Sequence, residues 1–348
     1  MSQGGGTERI TQVLANALTQ EHNYHVSVLN RENARVISFF PLEESVRLDV
    51  LPSGGVLKKI LALRRYLKKE QIDILINVDV MLGILSFPAQ LLYPRLKIIS
   101  WEMFNIRNSI GNRYARLVRE YALRHSAYYV NQTKGDMQAF QAEMKVKCPI
   151  TYIHNPYLEK SAPGEYDLKS KVIITAGHFF RMKGFDLAVE TARHVFDKHP
   201  AWQWRFYGDG QQLTAVKKLV EKYHLENNVL FCGRVSDMKQ IYPQAAMYVM
   251  TSRSEGFGLV LTEAKSFHLP TLAFDVDFGP REIIEDGKSG YLVKPFDIEE
   301  MARKICGLIE NADLRKCFSD HAIDNLSAFS IDAFVHKWKD IIDFVDKA

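Results

Sequence analysis

Cysteine is scarce in this chain, long apolar runs are missing, and neither glycine nor proline recurs with a period. The four cysteines, Cys148, Cys232, Cys306 and Cys317, form no C-x-x-C pair and read as reduced thiols of a cytoplasmic protein. No apolar stretch reaches the ~20 residues that a membrane-spanning helix needs. The best candidate, residues 80–93, is interrupted by Pro88 and reads as a buried helix. The opening MSQGGGTERI lacks the basic-then-apolar order of a secretory signal. Twenty glycines and twelve prolines without a repeat exclude a collagenous or low-complexity chain, and 47% hydrophobic with 25% charged residues excludes disorder over its bulk. The eleven histidines show no H-x3-H spacing, so no zinc site is expected. No G-x-G-x-x-G opens either half, which argues against a dinucleotide-dependent oxidoreductase.

What is present is a charge asymmetry and a rhythm. Residues 1–157 carry 20 Lys and Arg against 13 Asp and Glu; residues 158–348 carry 25 against 28. The basic half points to an anionic partner. Its cations cluster as Lys58, Arg64, Arg65, Lys68 and Lys69 on one helical segment and Arg113, Arg116, Arg119 and Arg124 on another. They fit two solvated faces or a surface for anionic lipid. Nucleic acid is not expected, because no helix-turn-helix, zinc-finger or RNA-binding signature accompanies them. On the first segment Val56, Ile60, Leu63 and Leu67 fall on one stripe, the pattern of a helix with a buried face.

Helix-like and strand-like segments alternate. The first half reads as strands at 25–29, 34–40, 72–78, 96–101 and 127–131, with helices at 10–19, 56–69 and 112–125. A polar stretch, 157–170, reads as a linker. Strands at 172–176, 202–207, 229–231, 247–250 and 271–274 follow, with helices at 185–199 and 213–224 and a helical tail from about residue 298. This rhythm predicts parallel sheets covered by helices, in two tandem domains.

The segment 251–270, TSRSEGFGLVLTEAKSFHLP, carries the chemistry. A strand ends there, a glycine-containing loop follows, and an apolar helix begins near Leu259. Ligands bind outside the carboxyl ends of such strands. Gly256 and Gly258 allow close backbone approach, and the N–H groups of Leu259 and Val260 at a helix start favour an anion. Glu255 and Glu263 frame this loop, seven residues apart.

EGFGLVLTEA resembles the E-x7-E motif of the retaining glycosyltransferases of family 4. GGGTERI, HNP (His154–Pro156), KGFDLAVE, YGDG, CGRV and GPREIIEDGKSGYLV agree with that family in the same order and cover nearly the whole chain. The resemblance implies an α/β protein of GT-B architecture, two Rossmann-like domains facing a central cleft. Its domains would be an acceptor- and membrane-side domain at 1–157, a donor domain at 158–330, and a helix at 331–348 crossing back to the first. It implies a nucleotide diphosphate sugar as co-substrate, no metal or other cofactor, and a lipid-linked glycan acceptor at the inner face of the cell membrane. Glu255 would bind hydroxyls of the transferred sugar and Glu263 the ribose. The backbone of Gly256, Phe257, Gly258, Leu259 and Val260 would approach the sugar and distal phosphate. Gly208 and Gly210 would belong to the donor site, and Cys232, Gly233, Arg234 and Val235 would flank the base. Gly5 and Gly6 would close over the diphosphate, and Lys183 would neutralise charge on the leaving group. Where the family has arginine before that lysine this chain has His178, with Arg181 the candidate substitute. Met103 stands at or near a position where many relatives have histidine, and His268 stands where glycine is common. In the family the glycine-rich loop follows an apolar strand from the middle of the sheet. Only three residues precede it here, so either a gap in the centre of the first sheet or an unexpected segment filling it is expected.

Asp275-Val276-Asp277 matches a metal-binding D-x-D in a different surrounding pattern and is set aside. The alternatives are a non-catalytic nucleotide-sugar-binding protein on the same fold, and an epimerase. The epimerase would need acid/base carboxylates and a histidine at the sugar carbon, a set not found here.

Overall fold

The computed structural model describes residues 6–21, 24–31, 40–109, 113–157, 166–235 and 237–348. The chain divides into two compact units, one of residues 1–156 with 331–348 and the other of 157–330. Tyr157, placed in the first domain from sequence, belongs to the second, where its N–H donates to the Phe329 carbonyl.

In the first unit, α1 (Gly6–Thr19) precedes β1 (Ser27–Asn30) and β2 (Arg47–Val50), which pair in parallel. Then follow α2 (Val56–Lys69), β3 (Ile74–Val78), α3 (Gly83–Leu91), β4 (Lys97–Trp101), α4 (Arg113–His125), β5 (Tyr128–Asn131), α5 (Lys134–Glu143) and β6 (Ile150–Tyr152). The parallel sheet β3-β4-β5-β6 stands apart from β1-β2, with no ladder between them among the described residues. Among the described residues, then, the first sheet is interrupted, the first of the two expected outcomes. The strand expected at 34–40 lies almost wholly outside the described residues, and β2 takes a place that the sequence reading left unassigned.

In the second unit come β7 (Val172–Ala176), α6 (Phe185–Phe196), β8 (Gln203–Tyr207), α7 (Leu213–Lys222), β9 (Val229–Gly233) and β10 (Met247–Met250). They are followed by α8 (Leu259–Ser266), β11 (Thr271–Phe274), α9 (Pro280–Ile283), β12 (Gly290–Val293), α10 (Ile298–Glu310) and α11 (Ala312–Asp320). The strand order is β12-β11-β10-β7-β8-β9, all parallel. β10 and β11, MYVM and TLAF, are buried at every position because helices cover both faces. Alternation splits their side chains between two cores. Ile173, Val249 and Leu272 face α6 and α10, while Ile174, Tyr248 and Ala273 face α8.

The last helix, α12 (Ile331–Lys347), belongs to the first unit. Trp338 stacks edge-on against Trp101 of β4, ring centroids 4.7 Å apart. Lys97 Nζ donates to the carbonyls of Val345 and Asp346 at 2.8 and 2.7 Å, placing a cation on the negative end of the helix.

Candidate functional site

The order of the second sheet reverses between β7 and β10. Strands following β7 in sequence step outward on one side, and β10 starts again on the other. In a doubly wound sheet the crevice at that reversal, on the carboxyl side, is where ligands bind. Two loops leave there, 177–184 after β7 and 251–258 after β10.

They are stitched together. Arg253 clamps Asp186 through two parallel contacts, Nη1–Oδ1 at 2.7 Å and Nη2–Oδ2 at 2.6 Å, and also donates to the Arg181 carbonyl. The Arg253 N–H donates to the Met182 carbonyl, and Thr251 Oγ1 to that of Gly184. Gly184 has φ +65°, and a Cβ there would lie 1.9 Å from the Thr251 carbonyl oxygen, so only glycine fits. Asp186 is held below the usual carboxylate range by Arg253, against the opposing effect of burial.

At the centre of this frame Lys183 Nζ sits 2.8 and 3.0 Å from the two carboxylate oxygens of Glu255. Ser252 Oγ donates to Glu255 Oε1 at 2.5 Å. Thr175, Ala176, Lys183, Ser252, Glu255 and Val260 line one small recess, with Phe185 and Met250. Glu255 is 7% exposed, yet a third of the Lys183 side chain faces solvent. The cation is thus fixed by a buried carboxylate and presented outward. Gly258, φ +98°, starts α8, whose first turn has no side-chain cap. The positive helix end therefore opens beside the ion pair. Glu263, one turn on and 8% exposed, accepts from Tyr242 Oη at 3.0 Å.

The other expected residues are distributed as follows. Gly208 and Gly210 follow β8 and run against the 177–179 segment: a Cβ at Gly208 would lie 1.9 Å from the Gly177 carbonyl oxygen. Gly233 ends β9 and accepts the Gly208 N–H. Arg234 is exposed, and Val235 packs on the core. Phe257 buries its ring against Phe329, so it can offer a ligand only its backbone. Leu259 and Val260 are half-buried and also pack on that core. His178 and Arg181 are exposed, and Arg181 contributes its carbonyl to the loop network. His268 has φ +61°; its N–H and that of Leu269 return to the Lys265 and Ala264 carbonyls, the paired closure usually made with glycine. Asp275 of the D-x-D is clamped by Arg281 at 2.9 and 2.8 Å. Gly6 opens α1 in the first unit, and Gly5 lies outside the described residues.

Sequence reasoning missed Ser252, Arg253, Asp186 and Tyr242. The first three lie inside the segments 251–270 and 183–190, close to assigned residues, and that proximity was the available signal. Tyr242 is 21 residues from Glu263 and carried none. It also missed Lys265, fully buried on α8 and donating to the Ile283 carbonyl, Ser289 Oγ and Asn325 Oδ1. Burial pulls its ammonium down to about 8.

In the first unit a second polar cluster gathers at the carboxyl ends of β4 and β5. Arg119, read from sequence as a surface cation, is buried. Its Nε lies 2.6 Å from Glu102 Oε2, which also accepts from Tyr129 Oη. A buried carboxylate drew it inward. Met103 is buried too and accepts a hydrogen bond from Gln132. Asp136 accepts from the Ile106 N–H and from Asn131 Nδ2, both at 2.9 Å. Burial pushes its carboxyl up to about 7, opposed by these bonds and by Arg119 and reinforced by Glu102. The folded state therefore holds a proton that the unfolded chain releases near pH ~4. Between about pH 4 and 7 folding binds the extra proton, so this group's contribution to stability is lost as pH rises through 7. Asp136→Asn should flatten that slope. The buried, unpartnered Oδ1 of Asn131 can turn to accept from the new amide. Calorimetry of both proteins from pH 5 to 8 tests this, and an unchanged difference in Tm would contradict it.

Comparison with known proteins identifies the family. Residues 158–324 match the family described as glycosyl transferases group 1. A glycosyltransferase of Haemophilus influenzae, itself uncharacterized, is 30% identical over 97% of this chain and 96% of its own. The chain belongs to the group 1 glycosyl transferases. This glycosyltransferase is also 26% identical to the amylovoran biosynthesis glycosyltransferase AmsD of Erwinia amylovora, over 99% and 97% of the two chains. Among solved structures, HepE of Anabaena in complex with UDP and glucose superposes with a TM-score of 0.80 at 16% identity, covering 99% and 97%. A mutant TarM of S. aureus gives 0.73 at 25% identity, over 81% of this glycosyltransferase and 58% of TarM. The fold is thus α/β of the GT-B type, and the enzyme class is glycosyltransferase.

Proposed function

We propose that this protein transfers a sugar from a nucleotide diphosphate donor to a glycan acceptor with retention of configuration. The observation that carries this reading is the Lys183–Glu255 pair at the β7/β10 reversal, beside the uncapped start of α8. A diphosphate needs positive charge, and that charge grows on the leaving oxygen as the glycosidic bond breaks. A fixed ammonium and a helix end stabilise it there more than in the ground state. No metal is invoked, because these two groups supply the charge.

Glu255 is engaged by Lys183 and Ser252, an arrangement that favours a sugar-binding carboxylate over a covalent nucleophile. The acceptor hydroxyl then attacks from the face the leaving group vacates. Its oxygen bonds to the anomeric carbon, the carbon–oxygen bond to phosphate breaks, and the proton passes to a phosphate oxygen. Glu263, held by Tyr242, takes the ribose. Lys183 is the catalytic cation, and Arg181 and His178 border the same loop.

The HepE structure holds UDP and glucose, which makes UDP the first base to test. AmsD is a glycosyltransferase of amylovoran biosynthesis, which favours a role in polysaccharide assembly. A lipid-linked acceptor is part of the proposal on the strength of the basic first half of the chain. A thermal-shift screen of nucleoside diphosphates and their sugars tests the reading. A bound nucleotide at ~100 times its Kd adds ~2.7 kcal/mol to stability. A shift followed by donor turnover is expected. A shift without turnover by the purified protein would favour the non-catalytic binder, and no shift with any nucleotide would remove the proposal.

A further inference from the structure

Exposed apolar side chains are concentrated on one part of the first unit. Among the described residues seventeen large hydrophobic side chains are exposed, and nine of them lie on α2, α4, and α3 with its capping residue Leu92. Scattered exposed apolar residues need no explanation, but a contiguous group marks a contact surface. The three helices are contiguous. Arg64 Nε of α2 donates to the Leu92 carbonyl at 3.1 Å. Phe87 of α3 meets Tyr121 of α4 edge-on, ring centroids 4.9 Å apart, and Gly83 lets Val118 approach closely.

The buried stripe expected on α2 holds only at its far end. Leu63 and Leu67 are buried, but Val56 is 55% and Leu57 71% exposed. On α4, Tyr114, Leu117 and Tyr121 recur at helical spacing on the outward side, while Ala115, Arg119, Ala122 and Leu123 face in. Leu91 is 73% exposed at the end of α3.

Cations surround these rows. α2 carries Lys58, Lys59, Arg64, Arg65, Lys68 and Lys69 with no acidic residue. α4 adds Arg113, Arg116 and Arg124 against one carboxylate, Glu120. Leucine tips, tyrosines and long basic side chains on one face have the composition of a helix surface lying in the headgroup layer of an anionic bilayer. The apolar tips enter the acyl boundary, the tyrosines sit at the interface, and the cations reach phosphates.

We propose that the α2–α3–α4 face docks this protein on an anionic bilayer by inserting its apolar side chains, with the cations as a second contribution. Insertion gives a component of binding that salt does not remove, unlike attraction between charges alone. The docking stands without the donor site. Only its purpose, bringing the enzyme to a lipid-linked acceptor, rests on the proposed function.

The test is sedimentation of the full chain with vesicles of phosphatidylcholine, alone or mixed with phosphatidylglycerol, at low and high salt. Binding to the mixed vesicles is expected, with a residue persisting at high salt. Leu57→Ser, Leu91→Ser and Leu117→Ser combined should weaken it about tenfold or more in both salts. Lys58→Gln, Arg65→Gln, Lys68→Gln and Lys69→Gln combined should weaken it roughly fivefold per charge at low salt and little at high salt. All variants should keep the parent's melting behaviour and its shift with UDP, since none touches the donor site. Absence of vesicle binding, or serine variants that bind like the parent, would overturn the proposal. So would a serine set that only converts an oligomer to a monomer, which would make the face a contact between copies. Vesicle binding without any nucleotide shift would instead keep this inference and sink the proposed function.

Discussion

Lys183→Ala is expected to lower sugar transfer by roughly 10²–10³ while the protein stays folded, and Glu255→Ala to do the same. In the proposed mechanism the lysine is a fixed charge placed where negative charge develops, so its removal should raise the barrier more than it weakens donor binding. The fold survives for a specific reason. The lysine side chain is one-third exposed, so the ion pair is partly screened, and Ser252 still donates to Glu255 when the ammonium is gone. Glu255→Ala would remove the proposed sugar contact and also the group that fixes the ammonium, so kcat should fall with it. Because the two residues act as a unit, the double variant should be little worse than either single one. Steady-state rates with a saturating donor check this. A single variant at near wild-type rate would remove that residue's role, and additive losses would mean that the pair does not work together.

Gly208→Ala is expected to cost about 3 kcal/mol or more and to abolish transfer. Its φ is +135°, and the added Cβ would meet the Gly177 carbonyl oxygen at 1.9 Å. Neither partner can give way easily. The Gly177 N–H is bonded to the Tyr207 carbonyl at 2.9 Å and the Gly208 N–H to that of Gly233 at 2.7 Å. The strain must pass into 177–184, the loop that carries Lys183. Gly233→Ala is the control: φ is +70° and nothing lies within 4 Å of its Cβ. It should cost only the roughly 1–2 kcal/mol of a left-handed alanine. Urea midpoints of the two variants separate contact from conformation, and equal losses would contradict the close-approach account.

The architecture was legible where burial is complete. MYVM and TLAF can be little but central strands, and the alternation of strands and helices gave both units. β2 was missed because RLDV is short and charged and, among the described residues, pairs with β1 alone. β12 was missed as a strand because its four residues follow directly on a turn. At the site the E-x7-E spacing gave Glu255 and Glu263, since both stand on one continuous loop and helix. What holds them was not legible. Arg253 and Asp186 are 67 residues apart and meet only because β7 and β10 are neighbours. The pairing of Lys183 with Glu255 depends on the same adjacency. Arg119 shows the converse error: arginine on a helix reads as surface until a buried carboxylate partner is known.

The most direct measurement is a crystal structure with UDP bound. The distal phosphate should lie within hydrogen-bond distance, ~3 Å, of Lys183 Nζ and the first N–H groups of α8, with the ribose hydroxyls on Glu263. A nucleotide bound away from the β7/β10 reversal, with Lys183 and Glu255 closed on each other and touching no phosphate, would contradict the account.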